Sequence, residues 1–115
     1  MIAAARYSWQ GLWAAIRYEA AFRQELMLAV VLVPAALWLG QNAGQVIVLI
    51  GSLVIVLIVE LINSAIEAVA DAISLEHNLL IGRAKDLGSA SVMLSLLLAL
   101  AVWVALLVNR WYPIL

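Results

Sequence analysis

From Val46 to Val59 the chain runs fourteen residues without a charge and then places a glutamate, Glu60, ahead of Leu-Ile-Asn63-Ser64-Ala-Ile-Glu67-Ala-Val-Ala-Asp71. A carboxylate that deep in a membrane segment costs about 2.5–3.5 kcal/mol on insertion scales, which makes it a functional-site candidate by default. At about 100° per residue, Glu60, Asn63, Ser64, Glu67 and Asp71 fall on one stripe of a helix. One helix therefore carries a ladder of acids and amides from inside the bilayer towards one surface.

The rest of the chain obeys the same constraint. Its 115 residues are 68% hydrophobic and 11% charged, with a mean hydropathy of +1.13. Soluble domains average roughly 45–50% apolar and about 25% charged residues, so the composition is that of an integral membrane protein. No polar stretch is long enough for a separate soluble domain, and residues 1–115 read as a single membrane domain. The net charge of -1 and the absence of a basic cluster give no sign of nucleic acid. With no cysteine, disulfides, thiol catalysis and thiolate metal sites are excluded. Arg and Glu are interspersed from Met1 to Arg23, with no cleavage site after an apolar core, which does not match a signal peptide.

The expected architecture is all-α: an amphipathic surface helix over about 7–22, then transmembrane helices over about 24–40, 46–70 and 86–109. On the first helix Trp9, Leu12, Trp13, Ile16 and Ala20 share one face, opposite Arg6, Gln10, Arg17 and Gln24, a pattern suited to a headgroup interface. Leu26–Leu39 is only fourteen residues long. That is short of the roughly 20 that a span needs, so it is expected to cross by continuing the surface helix, with Arg23, Gln24 and Glu25 at the interface. Pro34 is a candidate kink. Gly40–Gln45 reads as an uncharged turn, and Ser74–Asp86 as a polar connection. Gly88, Ser89, Ala90, Ser91 and Ser95 give the last helix a small-residue surface for close packing.

Arg6, Arg17, Arg23, Arg83 and Lys85 lie on one side of this three-span arrangement and Arg110 on the other, so the amino terminus and the 74–86 loop are expected in the cytoplasm. Trp38, Trp111 and Tyr112 then mark the outer interface. Every acidic residue falls on, or faces, the cytoplasmic half. Three spans form too thin a bundle to hide Glu60, Asn63 and Glu67 from lipid, which points to a symmetric homo-oligomer.

The chain has no phosphate-binding G-x-x-x-x-G-K-[ST] loop, no G-x-G-x-x-G turn, no His-rich metal site and no serine with a nearby His partner. A site here must be built from carboxylates, amides and the Arg83/Lys85 pair. Carboxylates with a few cations suit a magnesium–phosphate ligand, because magnesium takes hard oxygen donors, typically one or two carboxylates plus substrate phosphates. Glu67, near the cytoplasmic end of its helix, is a candidate ligand, or else a solvent-exposed helix residue. Glu19 is a second candidate, or else the partner of an i,i+4 ion pair with Arg23. Glu60, set deeper, suits a general base acting on a group at the membrane surface, such as a lipid hydroxyl. Its bland alternative is a protonated acid in an interhelical hydrogen bond. Lys85, followed by Asp86, is placed to neutralise phosphate or simply to anchor the cytoplasmic side.

The segments Glu60-Leu-Ile-Asn-Ser-Ala-Ile-Glu67, Gly82-Arg-Ala-Lys85-Asp86-Leu-Gly-Ser89-Ala and Glu19-Ala-Ala-Phe-Arg-Gln-Glu25, with Tyr7-Ser-Trp9 ahead of them, resemble the bacterial integral-membrane diacylglycerol kinase family. The resemblance covers nearly the whole chain, in order and with matching spacing. It implies a homotrimer of three-span subunits in the bacterial inner membrane, with shared active sites that move the γ-phosphate of MgATP to diacylglycerol. It implies Glu60 as the catalytic base and Glu19 and Glu67 as the metal-holding residues; Asn63, Ser64 and Asp71, on the same stripe, read as polar support. Tyr7, Glu19, Glu67, Glu76, His77, Asn78, Lys85 and Asp86 match nucleotide-contacting positions. Ala5, Arg6, Ser8, Trp9, Trp13, Ala14, Ala15, Ile16, Ala21, Phe22, Arg23, Gln24, Glu25, Trp38, Val46, Glu60, Ser89 and Trp103 match lipid-contacting ones.

Two departures accompany the match. The amino terminus is short, and the His that often lies two residues after the position of Glu76 is here Asn78, with His77 one place earlier. Undecaprenol kinases resemble the same pattern with a different acceptor. A small proton-coupled exporter would use Glu60 but leave Lys85-Asp86 without a purpose, and a purely structural subunit would leave the acid ladder unexplained.

Overall fold

The computed structural model describes residues 1–73 and 78–114, and every regular element among them is an α-helix. They are α1 (Ile2–Tyr18), α2 (Ala20–Leu39), α3 (Ala43–Ile73) and α4 (Leu79–Trp111). The last three are long and apolar enough to cross a membrane, as the all-α, three-span expectation required. At 1.5 Å per residue α2 measures about 30 Å, the thickness of the hydrocarbon core, whereas α3 and α4 reach about 46 and about 50 Å. The excess length matters. The last two turns of α3 hold Glu67 and Asp71, and the first turns of α4 hold Arg83, Lys85 and Asp86.

The start of the chain differs from expectation. The surface helix begins at Ile2 and ends at Tyr18, and Glu19 then adopts an extended conformation (φ −109°, ψ 103°) that closes α1 and opens α2. The first span is thus a helix of its own and not a continuation of α1, and Ala20 leaves the surface-helix face. Arg23 stabilises the break. Its Nη1 donates to the carbonyl oxygens of Ile16 and Arg17, each at 3.0 Å. Those oxygens are left orphaned when a helix stops, and a cation near them also complements the helix dipole. The i,i+4 pair of Glu19 with Arg23 does not form: among the described residues the one ion pair is Lys85–Asp71.

The other helix starts have local causes too. Asn42 Oδ1 accepts from the Gln45 backbone N–H at 2.9 Å, and Gln45 Oε1 accepts from the Gln41 N–H at 3.0 Å. This reciprocal cap starts α3 at Ala43. Asn78 Oδ1 accepts from the N–H groups of Leu80 and Ile81 at 2.9 and 3.3 Å. The cap starts α4 seven residues before the expected residue 86, so Arg83 and Lys85 belong to a helix and not to a connection. Pro34 lies inside α2 and the helix continues through it.

The core is a set of narrow stripes. Phe22, Ala29, Ala36 and Leu39 are buried on α2; Leu49, Ser52, Val56, Glu60, Asn63 and Ala70 on α3; Gly88, Ser95, Ala99, Leu106 and Asn109 on α4. Spacings of three, four and seven are those of helices packed along their length, and small residues allow the close approach on which membrane helices rely. Of the expected small surface on α4, Gly88 and Ser95 face the packing while Ser89, Ala90 and Ser91 are exposed. Ser52 Oγ donates to the Leu49 carbonyl at 2.7 Å and accepts from Trp103 Nε1 at 3.2 Å, joining α3 to α4 by a polar contact in an apolar layer. At the far end Arg110 lies over the Trp38 ring, 4.5 Å from its centroid, and its Nη1 donates to the Trp38 carbonyl at 3.2 Å.

Arg110 thus caps α2 and stacks on its last aromatic residue at once. Arg110→Ala should lower stability by about 2–4 kcal/mol, the sum expected for a cation–π contact and a charged hydrogen bond. Arg110→Lys should recover only part of it, because an ammonium lacks the planar fork. Unfolding by sodium dodecyl sulfate titration in mixed micelles measures both.

Candidate active site

The acid stripe of α3 is graded by depth. Glu60 and Asn63 are buried, Ser64 and Glu67 half-buried, and Asp71 exposed. Regular helical geometry produces this order: each step of three or four residues keeps the side chain near one face of α3 while moving it nearer the end of the helix.

Other elements add carboxylates to the stripe. Glu67 and Glu19 both lie close enough to act electrostatically on Glu60, and Glu60 acts likewise on Glu25. Glu19 is brought there by the break between α1 and α2. The groove between α1 and α3 is about 600 Å³ and includes Ser8, Gly11, Tyr18, Glu19, Leu61 and Ser64 in its wall. Glu25, one and a half turns into α2, has a buried Oε2 with no hydrogen-bond partner among the described residues. It sits in the wall of a separate apolar cavity of about 310 Å³ between α2, α3 and α4, which Trp103 also lines. Glu25 from α2, Glu67 from α3 and Glu19 from the break before α2 are thus each coupled to Glu60, and the one described ion pair borders the group through the action of Glu67 on Lys85.

That pair joins the last turn of α3 to the first turns of α4. Lys85 Nζ donates to Asp71 Oδ1 at 2.6 Å, with both side chains well exposed (42% and 55%). Further in, Asn63 Nδ2 donates to Glu67 Oε1 at 3.4 Å, so the amide of the stripe is turned towards the half-buried acid. Chemically, the arrangement offers hard oxygen donors, a deeper carboxylate able to take a proton, and a lysine within reach of water.

The remaining candidates divide into those gathered here and those held elsewhere. Tyr7, Trp9 and Trp13 are exposed on α1, by 62%, 70% and 56%. Ala5, Arg6, Ala14 and Ile16 are exposed with them, and Ala15 alone is buried on that helix. Ser8 turns its hydroxyl back on the Ala4 carbonyl at 2.9 Å. Ala21 and Gln24 are exposed and Phe22 is buried. Asp86 and Ser89 are exposed on α4. Val46 stands fourteen residues from Glu60, about 20 Å along α3, and Trp38 is at the same far end beneath Arg110. Within one chain neither is brought to the acid cluster. Asn78 devotes its side-chain oxygen to the α4 cap. Glu76 and His77 lie outside the described residues. Gly88 was not among the candidates, yet it packs directly against Asn63; its place in Ala-Lys85-Asp86-Leu-Gly88 gives no hint of that neighbour.

Over most of its length the chain is similar to known proteins. The family described as prokaryotic diacylglycerol kinase matches residues 6–107. The chain is 50% identical over 107 residues to the diacylglycerol kinase of Escherichia coli strain K12, covering 93% of this chain and 88% of that protein. It is 45% identical over 103 residues to the diacylglycerol kinase of Haemophilus influenzae, covering 90% and 87%. Against the diacylglycerol kinase of Pseudomonas aeruginosa the identity is again 45% over 103 residues, covering 90% and 84%.

Acids gathered around a buried carboxylate destabilise the ligand-free protein. Glu60→Gln should therefore raise its resistance to denaturant by about 1–3 kcal/mol, up to the insertion cost of the charge it removes. The measurement is a denaturation midpoint without nucleotide or divalent ion, and a midpoint equal to or below that of the parent would count against the electrostatic crowding.

Proposed function

The chain belongs to the prokaryotic diacylglycerol kinase family, and from that premise we propose that it transfers the γ-phosphate of MgATP to the hydroxyl of a 1,2-diacylglycerol, giving phosphatidic acid. The observation that carries this is the buried Glu60, held at membrane depth within the field of Glu67 and Glu19. A membrane-embedded acid beside carboxylates nearer the helix end matches a reaction between a lipid hydroxyl and a water-soluble phosphate donor.

In the proposed step Glu60 takes the proton of the lipid hydroxyl as its oxygen bonds to the γ-phosphorus. The bond from that phosphorus to the bridging oxygen breaks, and ADP leaves with the electron pair. Positioning a base in this way is worth about 10²–10⁴ in rate. Glu19 and Glu67 are the residues that would hold magnesium, since two carboxylates completed by phosphate oxygens are a donor set this ion accepts. When bound, the ion neutralises the phosphate charge that builds up during transfer. Lys85, tied to Asp71 but still 42% exposed, and the neighbouring Asp86 are assigned to the nucleotide together with Tyr7, Glu76, His77 and Asn78. Trp9, Trp13, Gln24, Glu25, Ser89 and Trp103 are assigned to the lipid.

The same proposal places the protein in the bacterial inner membrane, with the amino terminus and the 74–86 loop in the cytoplasm, where ATP is supplied. It also assembles the chain as a homotrimer. Large apolar side chains remain exposed along all three spans, among them Leu28, Val31, Ile47, Ile62, Leu94 and Leu100. Trp38 and Val46, distant from Glu60 within one chain, would then contact lipid along a subunit boundary.

In detergent micelles with magnesium, added diacylglycerol should become labelled from γ-labelled ATP. Glu60→Gln should lower the rate by at least about 10²-fold, with assembly intact, as expected for loss of a general base. Undecaprenol offered in competition should be the poorer acceptor. Labelling of undecaprenol in preference to diacylglycerol would reassign the substrate, and unchanged turnover in the variant would remove Glu60 from the role of base.

A further inference from the structure

We infer that Gly88 is a positioning residue for the Glu67 carboxylate: the missing side chain at position 88 lets the Asn63 amide lie against α4 and aim its N–H at Glu67. The inference rests on the assignment of Glu67 to the metal and adds to it a residue that touches neither metal nor substrate.

Asn63 is 8% exposed, and its two amide ends meet different surroundings. Nδ2 donates to Glu67 Oε1, while Oδ1 is buried with no hydrogen-bond partner among the described residues. The reverse orientation would set oxygen against carboxylate oxygen, so the N–H end belongs on the acid and the oxygen must face α4. What it meets there is Gly88. A Cβ built on Gly88 would collide with Asn63 Oδ1 and come within 3.3 Å of Asn63 Cγ. With only hydrogens on its Cα, glycine leaves room for the oxygen and offers it at most a weak C–H···O contact.

The surroundings show where the amide would go if that room were lost. A hollow of about 170 Å³ adjoins it, lined by Val59, Ile62, Ile66 and Ser91 as well as by Asn63 and Gly88. The Ser91 hydroxyl is already donated to the Leu87 carbonyl at 3.0 Å, so the hollow offers Asn63 space. A methyl group at 88 would press the amide into it and away from Glu67. Two glycines in mid-helix are different: a Cβ on Gly11 or Gly51 meets nothing within 4 Å. Alanine is also the better helix former at all three positions, so a defect confined to position 88 would not come from helix propensity.

The test measures binding of Mn²⁺, as a spin-active substitute for magnesium, with a non-hydrolysable ATP analogue, by electron paramagnetic resonance on the full chain in micelles. Gly88→Ala should weaken Mn²⁺ binding by about 10-fold, the lower end of what loss of an outer-shell partner costs a metal site. Asn63→Ala should do the same. The double variant should be no weaker than either single change, because both remove one contact. Gly51→Ala should bind like the parent, and all should keep parental helicity and assembled size. Parental Mn²⁺ affinity in Gly88→Ala, or losses that multiply in the double variant, would overturn the inference and leave the assignment of Glu67 standing. Parental affinity in Glu67→Gln would overturn both. Should Gly88→Ala fail to assemble, the double variant restores the room, and binding weaker than that of Asn63→Ala alone would refute the inference.

Discussion

A carboxylate carried into a lipid bilayer must be shielded, neutralised or used, and Glu60 is shielded by helix packing that leaves it 5% exposed. Its helix has no choice about the backbone, since only a helix satisfies its own donors and acceptors in hydrocarbon. The side chain is then kept from lipid by the contact of α3 with α4 and α2, where small residues such as Ser52, Ala99 and Ala29 are buried. Placing the acid on the stripe that packs thus fixes which face of α3 turns inward. Asn63 is buried with it and Glu67 half-buried, because residues three and seven positions on share that face.

The cations complete the picture by their placement away from Glu60. Arg23 reaches back to the carbonyl oxygens that end α1, Arg110 covers the end of α2, and Lys85 pairs with Asp71. Each of these contacts lies near a helix end, where a guanidinium or ammonium retains some access to water. Glu19, Glu25 and Glu67 act on or feel Glu60, and Lys85 reaches only the outer member, Glu67. Such a cluster is costly as a structural element and suited to binding a positive ion or a proton, so its energetics favour function over assembly.

The acid stripe was legible in the sequence because it depends on a single helix: one apolar run sets the helix, and a fixed angular step sets the face. The three spans were legible for the same reason. What depended on two elements was not. Glu19 and Arg23 read as an i,i+4 pair only on the assumption of an unbroken helix, and the extended Glu19 removes it. Arg83, Lys85 and Asp86 read as a polar connection because charge normally marks the end of a span. Asn78 was nonetheless in the position of an N-cap, a signal that the chain states and that charge outweighed. The packing of Gly88 on Asn63 is set by the axial offset of α4 against α3, which no spacing within either segment encodes.

Depth also explains why the proposed chemistry needs both ends of the stripe. Glu60 and Glu67 are seven residues apart, about 10 Å along the helix axis. Two acids with one role would gain nothing from that separation, whereas a proton acceptor for a lipid headgroup and a ligand for a hydrated ion require it. A diacylglycerol hydroxyl stays at the level where its acyl chains enter the bilayer, and a nucleotide stays in water. The helix projecting past the hydrocarbon core holds one acid at each level. Asn63, between them in sequence, is turned towards Glu67 and not Glu60. That orientation leaves the deeper carboxylate without an amide donor from its own stripe, as suits a group whose task is to accept a proton.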